Sequence, residues 1–310
     1  MSLLHFLPLY QTRVWGGRRL EACLGRSLPD AQPYGESWDL VDRESEQSVV
    51  ASGPYAGSTL HDLWINERET IFGAAYASHP AGRFPILIKV LDCADDLSIQ
   101  VHPPVEMAAV LNGEPKTEMW FVAQAEPGAK LYAGLNKGVS RTIFEVSLTD
   151  GTVADHVHCL FPCTGDSLFV PSGRLHALGK GLLIYEIQQN SDTTYRVFDW
   201  NRVGLDGRPR DLHVQQSMQC IDFNDVEPAL LKAGERQVLA ACEHFIVSRR
   251  HTGDGLQVKT GCFRLILPIT ITRWGREDLA PGSVALLPAH AVTPGHAEPE
   301  GEWLEIEVPV

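Results

Sequence analysis

The stretch GDSLFVPSGRLH, from Gly165 to His176, places turn residues around one short apolar run at fixed spacing. Five residues separate Gly165 from Pro171, and Gly173 and His176 follow the proline closely. A glycine permits a tight entry into a strand, and Pro-x-Gly shapes a turn after it. The spacing therefore predicts a short β-strand followed by a turn that aims His176 into the mouth of a β-barrel.

Short β-branched or aromatic runs, separated by glycine and proline, dominate the rest of the chain, a pattern typical of antiparallel sandwiches and barrels. The runs predicted to be strands are FPILIKVLD, TEMWFVAQA, DSLFVPSG, LLIYEIQQ, FRLILPITIT and SVALLPA. Helical signals are fewer. Predicted helices are STLHDLWINERETIFG (58–73), which opens on a Ser/Thr cap, PPVEMAAVLNG (103–113), which opens on proline, and PALLKAGE (228–235).

The C-terminal part of the chain echoes the opening stretch. In GSVALLPAHAVTP the interval from Gly282 to Pro288 repeats that from Gly165 to Pro171. Thr293 stands where the first copy has its histidine. We therefore predict two similar β-units, of which only the first kept a functional site.

Composition limits the partners. The formal net charge of −13 argues against nucleic acid and against an anionic membrane surface. An anionic small substrate would need a local cationic pocket. No apolar run has the length of a membrane span, and the N-terminus lacks the basic region of a signal peptide. The seven cysteines are scattered, which favours reduced thiols in a cytoplasmic protein.

A second segment, SIQVHPP (98–104), carries polar groups at the end of an apolar strand. Alternation places Gln100 and His102 on one face. The stretch from Gly165 to His176 matches in full the second signature motif of the cupin β-barrels. Through this motif the chain resembles the cupins. Cupins pair that histidine with a first signature, normally His-x-His followed by glutamate. Here the corresponding residues are Gln100, His102 and, after a short insert, Glu118.

The cupin resemblance predicts a metal site made of Gln100, His102, Glu118 and His176. Two oxygens and two nitrogens suit Zn²⁺, and also Mn²⁺, Co²⁺ or Fe²⁺, with a position left for water or substrate. Each residue could instead be a satisfied polar group of a barrel interior. Four ligand types in one full and one partial signature favour the metal.

The resemblance also predicts the fold: mainly β, with cupin-type jelly-roll β-barrels duplicated as in bicupins, and a few short helices. Residues 1–225 are expected to form the catalytic barrel with N-terminal strands and a short helical segment. Residues 226–310 are expected to form a smaller jelly-roll barrel without metal ligands.

Further motifs resemble the type I phosphomannose isomerases, in their short bacterial form. These motifs, which run in order from about residue 10 to about residue 223, are RVWGG, GESWDL, FPILIKVLD, LSIQVHP, PKTEMW, VPSGRLHAL, YEIQQNSDTTYRVFD and RDLHV. The resemblance implies interconversion of mannose 6-phosphate and fructose 6-phosphate by proton transfer through a cis-enediol. It implies a phosphosugar substrate, and we expect a monomer or homodimer.

Residues carried over from that family fill the site. The family's zinc ligands fall on the four residues named above, its catalytic arginine on Arg196 and its pocket lysine on Lys116. Glu186, Asp192 and Ser98 match residues of the family's substrate cleft. Taken alone, Lys116 could be a strand-edge lysine and Arg196 a structural ion-pair partner.

The catalytic base and the reaction class leave alternatives. Lys116 shares a strand face with Glu118, and a metal there would lower its pKa, whereas Glu186 is the competing base. Arg196 cannot give up its charge and suits stabilisation of an enediolate. Two alternative functions are considered. The chain could be a non-catalytic sugar-binding or regulatory cupin, or a cupin metalloenzyme that acts on another substrate.

Overall fold

The computed structural model describes residues 3–254, 261–291 and 299–310, and Thr293 of the C-terminal echo lies outside these ranges. Within them the fold is mainly β with few short helices, which confirms the predicted class. The strands are β1 (Leu4–His5), β2 (Leu9–Gly17), β3 (Tyr34–Leu40), β4 (Ile86–Cys93), β5 (Ile99–Val101), β6 (Glu118–Ala125), β7 (Leu131–Leu135), β8 (Val157–Leu160), β9 (Ser167–Val170), β10 (His176–Leu178), β11 (Leu182–Gln189), β12 (Tyr195–Phe198), β13 (Val238–Ala241), β14 (Ile246–His251), β15 (Arg264–Pro268), β16 (Thr272–Trp274), β17 (Glu277–Leu279), β18 (Ala285–Leu287) and β19 (Glu302–Glu307). The α-helices are α1 (Arg19–Ala22), α2 (Leu60–Asn66), α3 (Val105–Ala108), α4 (Arg141–Asp150) and α5 (Val214–Cys220).

Antiparallel pairing arranges these strands into three main sheets and a ribbon. The central six-stranded sheet has the order β2-β3-β4-β11-β6-β9, and a five-stranded sheet has the order β12-β5-β10-β7-β8. The third sheet, β1-β18-β15-β19-β14-β13, contains both the first and the last strand of the chain. Strands β16 and β17 form a separate two-stranded ribbon. Among the described residues the end strands of each sheet do not pair with one another, so the sheets are open rather than closed barrels.

The central sheet is buried on both faces, which explains why five of the eight residues of β11 are apolar. On one face Ile184 joins a core shared with Leu131 and Leu178 of the five-stranded sheet. On the other face Tyr185 joins a core that includes Val247 of the third sheet and helix α2. A strand buried on both faces reads as a continuous apolar run, so a polar residue within it needs a partner or a function.

Local signals explain two of the three predicted helices. Thr59 caps α2, where its side chain accepts from the Asp62 backbone N–H and the Asp62 carboxylate accepts from the Thr59 backbone. Helix α3 begins after Pro104 as expected, although it spans only Val105–Ala108. The helix predicted for 228–235 is wrong, because Leu231 pairs as an antiparallel bridge with Ser167 of β9.

Two further expectations concern compartment and membrane. The seven cysteines are all free thiols. In the part of the chain that the structure describes, no helix is both long and apolar enough to cross a bilayer.

Candidate active site

Three buried side chains converge between the two sheets that share a core. His102 follows β5, Glu118 opens β6 and His176 opens β10, and one potential ligand atom from each lies within 4.8 Å of the others. The Nε2 atoms of His102 and His176 each lie 3.5 Å from a different oxygen of Glu118. Antiparallel pairing brings these segments together, since His176 lies opposite Gln100 across β10 and β5.

The cluster has the properties expected of a cation site. His102 Nε2 and both carboxylate oxygens of Glu118 are buried without a hydrogen-bond partner. Lys116 Nζ, 3.1 Å from Glu118 Oε2, forms an ion pair without hydrogen-bond geometry. Buried polar atoms are nearly always paired in folded proteins, so a group of three unpaired acceptors indicates a missing partner. Two imidazoles and a carboxylate fit a divalent transition metal.

Both imidazoles are oriented by backbone carbonyl groups. His102 Nδ1 lies 2.8 Å from the carbonyl oxygen of Thr193, and His176 Nδ1 lies 2.8 Å from that of Arg174. A carbonyl oxygen only accepts, so each ring carries its proton on Nδ1 and keeps Nε2 unprotonated. In this neutral tautomer the unprotonated Nε2 points towards Glu118. Metal-binding histidines are oriented in the same way, by a hydrogen bond from their other ring nitrogen.

Gln100, the fourth predicted ligand, lies at the edge of the cluster. Its Nε2 lies 3.4 Å from His176 Nε2, and its Oε1 accepts a hydrogen bond of 3.2 Å from Ser98 Oγ. The carboxamide therefore lies beside the imidazole, and its two ends can be exchanged by rotation about the last side-chain bond.

A cavity of about 290 Å³ opens beside the cluster. Six residues predicted from the sequence line it, namely Ser98, Gln100, Lys116, Glu186, Asp192 and Arg196. Four charged residues of the same lining were not predicted as site residues, namely Arg13, Glu36, Lys89 and Arg210. Each of the four lies in a quoted motif, RVWGG, GESWDL, FPILIKVLD or RDLHV, and that was the available signal.

A transverse row of directly opposed residues crosses the central sheet, and its two middle members, Lys89 and Glu186, line this cavity. Trp38, Lys89, Glu186 and Trp120 are neighbours in register across β3, β4, β11 and β6. Lys89 Nζ lies 4.7 Å from the Trp38 ring centroid, and Trp120 Nε1 donates a 2.9 Å hydrogen bond to Glu186 Oε2. The row thus holds one buried cation and one buried carboxylate between two indole rings.

Lys89 is surrounded by acidic groups. Its Nζ lies 3.6 Å from Glu36, 3.7 Å from Asp192 and 3.8 Å from Glu186. Glu36 in turn accepts from Arg13 Nε at 2.8 Å and from Arg13 Nη2 at 3.1 Å, and it also accepts from Trp38 Nε1. Strands β2, β3 and β4 therefore contribute a connected set of charges to the cavity wall.

The pKa values follow from burial and these neighbours. Burial and then Lys116 lower the pKa of His102 to about 3, and burial lowers that of His176. Burial alone would lower the pKa of Lys116, but Glu118 and Glu186 outweigh it and raise the pKa above its usual value. Burial and the nearby Glu118 raise the pKa of Glu186. Lys116 is therefore held in its charged form, and Glu186 takes up a proton more readily than a carboxyl group of ordinary pKa.

Arg196 occupies the other side of the cavity. Its Nη1 donates to the carbonyl of Asp211 at 2.8 Å, while its Nε is buried without a hydrogen-bond partner. Arg202 and Arg210 both bind the carboxylate of Asp199 instead. Among the described cations of the cavity lining, Arg196 is the guanidinium that has no carboxylate partner. Its charge is therefore available to an anion in the cavity.

Comparison with known proteins gives consistent results. A family model described as "Phosphomannose isomerase type I, catalytic domain" matches residues 3–127. The chain is 39% identical to mannose-6-phosphate isomerase ManA of Bacillus subtilis over 225 residues, 72% of this chain and 69% of that protein. It is 40% identical to the mannose-6-phosphate isomerase of Streptococcus mutans over 242 residues, 76% of this chain and 74% of that protein.

The likeness in structure extends further along the chain than the likeness in sequence. The crystal structure of mannose 6-phosphate isomerase from Bacillus subtilis superposes with a TM-score of 0.83 and 27% identity, and covers 99% of this chain and 100% of that one. The lower identity over the full length agrees with the sequence motifs, which end near residue 223.

Proposed function

The chain belongs to the type I phosphomannose isomerase family, and we propose that the cavity beside His102, Glu118 and His176 is where it interconverts mannose 6-phosphate and fructose 6-phosphate. The protein is thus an aldose–ketose isomerase. The observation that supports this site most directly is the position of Lys116, which lines a cavity rich in cationic side chains and lies 3.1 Å from Glu118 of the three residues that could hold a metal ion.

The charge of the cavity fits a phosphosugar. Five cationic side chains and three carboxylates line it, although the whole protein has a formal net charge of −13. A local excess of positive charge in an acidic protein attracts an anionic substrate to one place. The substrate phosphate, which is mostly a dianion at neutral pH, supplies the complementary charge.

Gln100, His102, Glu118 and His176 would hold one divalent cation, for which we propose Zn²⁺, with Mn²⁺, Co²⁺ or Fe²⁺ as alternatives. When bound, that cation would polarise a sugar oxygen and stabilise negative charge developing on it. No feature of the described residues favours a non-catalytic cupin over the isomerase.

Glu186 is proposed as the group that moves the proton between C1 and C2. Glu186 lines the cavity, its Oε1 lies 3.8 Å from Lys89 Nζ and 3.9 Å from Lys116 Nζ, and its Oε2 accepts from Trp120 Nε1. A carboxylate whose pKa is raised towards neutrality accepts and returns a proton more effectively than one with an ordinary pKa. We propose Glu186 rather than Lys116 as the base, because a lysine must lose its proton before it can act as one.

Lys116 and Arg196 are proposed to remain charged and to stabilise the enediolate. Lys116 lies between Glu118 and Glu186, where the carboxylates keep its ammonium protonated. Arg196 has no carboxylate partner among the described residues and faces the same cavity. Fixed positive groups in a partly dry site stabilise developing negative charge without reorganising. Ser98 and Asp192 are proposed to bind sugar hydroxyls.

The division of the chain is proposed in the same way. We assign the site to residues 1–225 and regard 226–310 as a smaller unit without metal ligands. Because the seven thiols are free and the substrate is a sugar phosphate, we propose the cytoplasm as its compartment. The expectation of a monomer or homodimer stays a prediction.

The decisive experiment is an isomerase assay on metal-replete protein before and after chelation. We expect turnover of mannose 6-phosphate, loss of turnover on chelation, recovery with Zn²⁺, and much weaker activity on glucose 6-phosphate and unphosphorylated mannose. Folded, metal-replete protein that does not convert mannose 6-phosphate would refute the proposal.

A further inference from the structure

Residues 222–233, which we call the strap, cross the back of the stretch GDSLFVPSGRLH. At one end the backbone N–H of Asp222 donates to the carbonyl of Gly173 at 2.9 Å. At the other end Leu231 and Ser167 exchange two backbone hydrogen bonds of 2.9 Å, and Lys232 Nζ lies 2.9 Å from Asp166. The strap therefore holds the signature stretch at both ends.

The two glycines of the signature stretch lie close to the strap or to the residues just before it. Gly165 and Gly173 both have a φ of +90°, which a residue with a side chain rarely adopts. A Cβ on Gly165 would lie 3.0 Å from the Cβ of Ala233, and one on Gly173 would lie 3.3 Å from the carbonyl oxygen of Cys220. The glycines thus permit the turn, and they also permit close contact with the strap and with Cys220, which precedes it.

One side-chain pair connects the strap to the candidate metal ligand. Arg174 donates to both oxygens of Asp225 at 2.7 Å, from Nε and from Nη2, and its Nη1 donates to the carbonyl of Phe169 at 2.6 Å. Both side chains are largely buried, at 14% and 16% exposure. A bidentate pair fixes the orientation of the arginine as well as its position.

The backbone carbonyl of the same arginine orients His176. His176 Nδ1 donates to it at 2.8 Å, and this bond leaves Nε2 facing Glu118. Partners of this kind hold the ligand ring in the tautomer and direction that a metal needs. The loop from Pro171 to Leu175 is also held by hydrogen bonds of Ser172 to Thr117 and by the burial of Leu175. The salt bridge is the side-chain contact that joins Arg174 itself to the strap.

We infer that Asp225 is a positioning residue for His176: through Arg174 it holds the carbonyl that fixes the imidazole, so the strap sets the geometry of the metal site. This inference rests on the proposed function, because it concerns the affinity of the metal that the site would hold. It adds a residue, 49 positions from the ligand, to which no role was assigned above.

The test measures Zn²⁺ binding rather than activity. Asp225→Asn and Arg174→Lys each remove the bidentate pair while keeping size and, for lysine, charge. We expect each variant to bind Zn²⁺ about 10- to 100-fold more weakly than the parent in competition with a chromogenic chelator. Asp278→Asn is the matched control, since it breaks the exposed Arg273–Asp278 pair, and its Zn²⁺ affinity should equal that of the parent.

The outcomes separate the inference from a purely structural role and from the proposed function. If Asp225→Asn melts at a lower temperature without metal yet binds Zn²⁺ as tightly as the parent, the pair only stabilises the fold and the inference is wrong. If that variant does not fold, Arg174→Lys decides by the same measurement. If the parent protein itself binds no Zn²⁺ and is inactive, the proposed function fails first.

Discussion

Lys89 and Glu186 face each other directly across β4 and β11, with 3.8 Å between Lys89 Nζ and Glu186 Oε1. Both side chains are almost fully buried, and both line the cavity. The contact is longer than a hydrogen bond, and no hydrogen bond from the ammonium is found among the described residues. We therefore expect a hydroxyl group of the sugar to bind between the ammonium of Lys89 and the carboxylate of Glu186.

Replacing Lys89 with methionine should impair catalysis while leaving the metal site intact. Loss of a charged hydrogen-bond donor to the substrate costs about 1.5–3 kcal/mol, which corresponds to a loss of about 10- to 100-fold in kcat/KM. Steady-state kinetics and Zn²⁺ content of Lys89→Met check this. Lys180→Met, at an exposed lysine, should behave as the parent. An unchanged kcat/KM in Lys89→Met would remove Lys89 from the site.

Replacing Glu186 with glutamine should abolish proton transfer without preventing binding. The amide keeps the size and can still accept from Trp120, but it cannot take a proton, so kcat should fall about 10²- to 10⁴-fold. Incorporation of deuterium from solvent at C2 of mannose 6-phosphate measures the step directly. If Glu186→Gln still exchanges that hydrogen while Lys116→Met does not, the base is Lys116.

Replacing His176 with alanine should reduce metal content and turnover together. The imidazole supplies one of three converging ligand atoms, whereas the surrounding cores are built from other residues. Metal analysis, activity and circular dichroism should therefore show a folded, metal-poor and inactive protein. His158→Ala, on strand β8, is the control and should keep both metal and turnover. Turnover at the parent level in His176→Ala would contradict the ligand assignment.

Glu36 predicts how stability depends on acid. Burial alone would raise the pKa of Glu36, but Lys89 and Arg13 outweigh it and lower the pKa to about 2. A carboxyl whose pKa is lower in the folded state stabilises the protein above its unfolded pKa, near 4.5, and this stabilisation is lost as pH falls towards 2. The contribution at neutral pH is about 3 kcal/mol.

Urea unfolding of Glu36→Gln and the parent at pH 7, 4 and 3 tests this linkage. The variant should be less stable at pH 7, and the difference in the free energy of unfolding should shrink as the pH is lowered. Glu44→Gln, at an exposed position, should show no such trend. A difference for Glu36→Gln that stays constant from pH 7 to pH 3 would show that the carboxylate is not held by its neighbours.

Parts of the fold could be read from local signals, and others could not. Strand β11 matches the run LLIYEIQQ residue for residue, because β-branched and aromatic residues bounded by turns leave little choice. Helix α4 was missed although Ser140 caps it and Gly151 ends it in the left-handed conformation. The predicted third helix failed because its propensity is weaker than the pairing of Leu231 with Ser167.

Gln100 stays a predicted ligand, but the order of residues alone was enough to predict the group His102, Glu118 and His176 that the structure brings together. Ligand types and turn residues are local features of three short motifs, which is why the order of residues was enough for this group. It was not enough to find Arg13, Glu36 and Lys89, which look like ordinary charges in strands. Their place in the cavity depends on which alternate face each strand turns inward, and on the pairing of β4 with β11 across nearly a hundred residues. Strand register and long-range pairing are fixed only when the whole chain packs. They place these three charged side chains in the lining of the cavity.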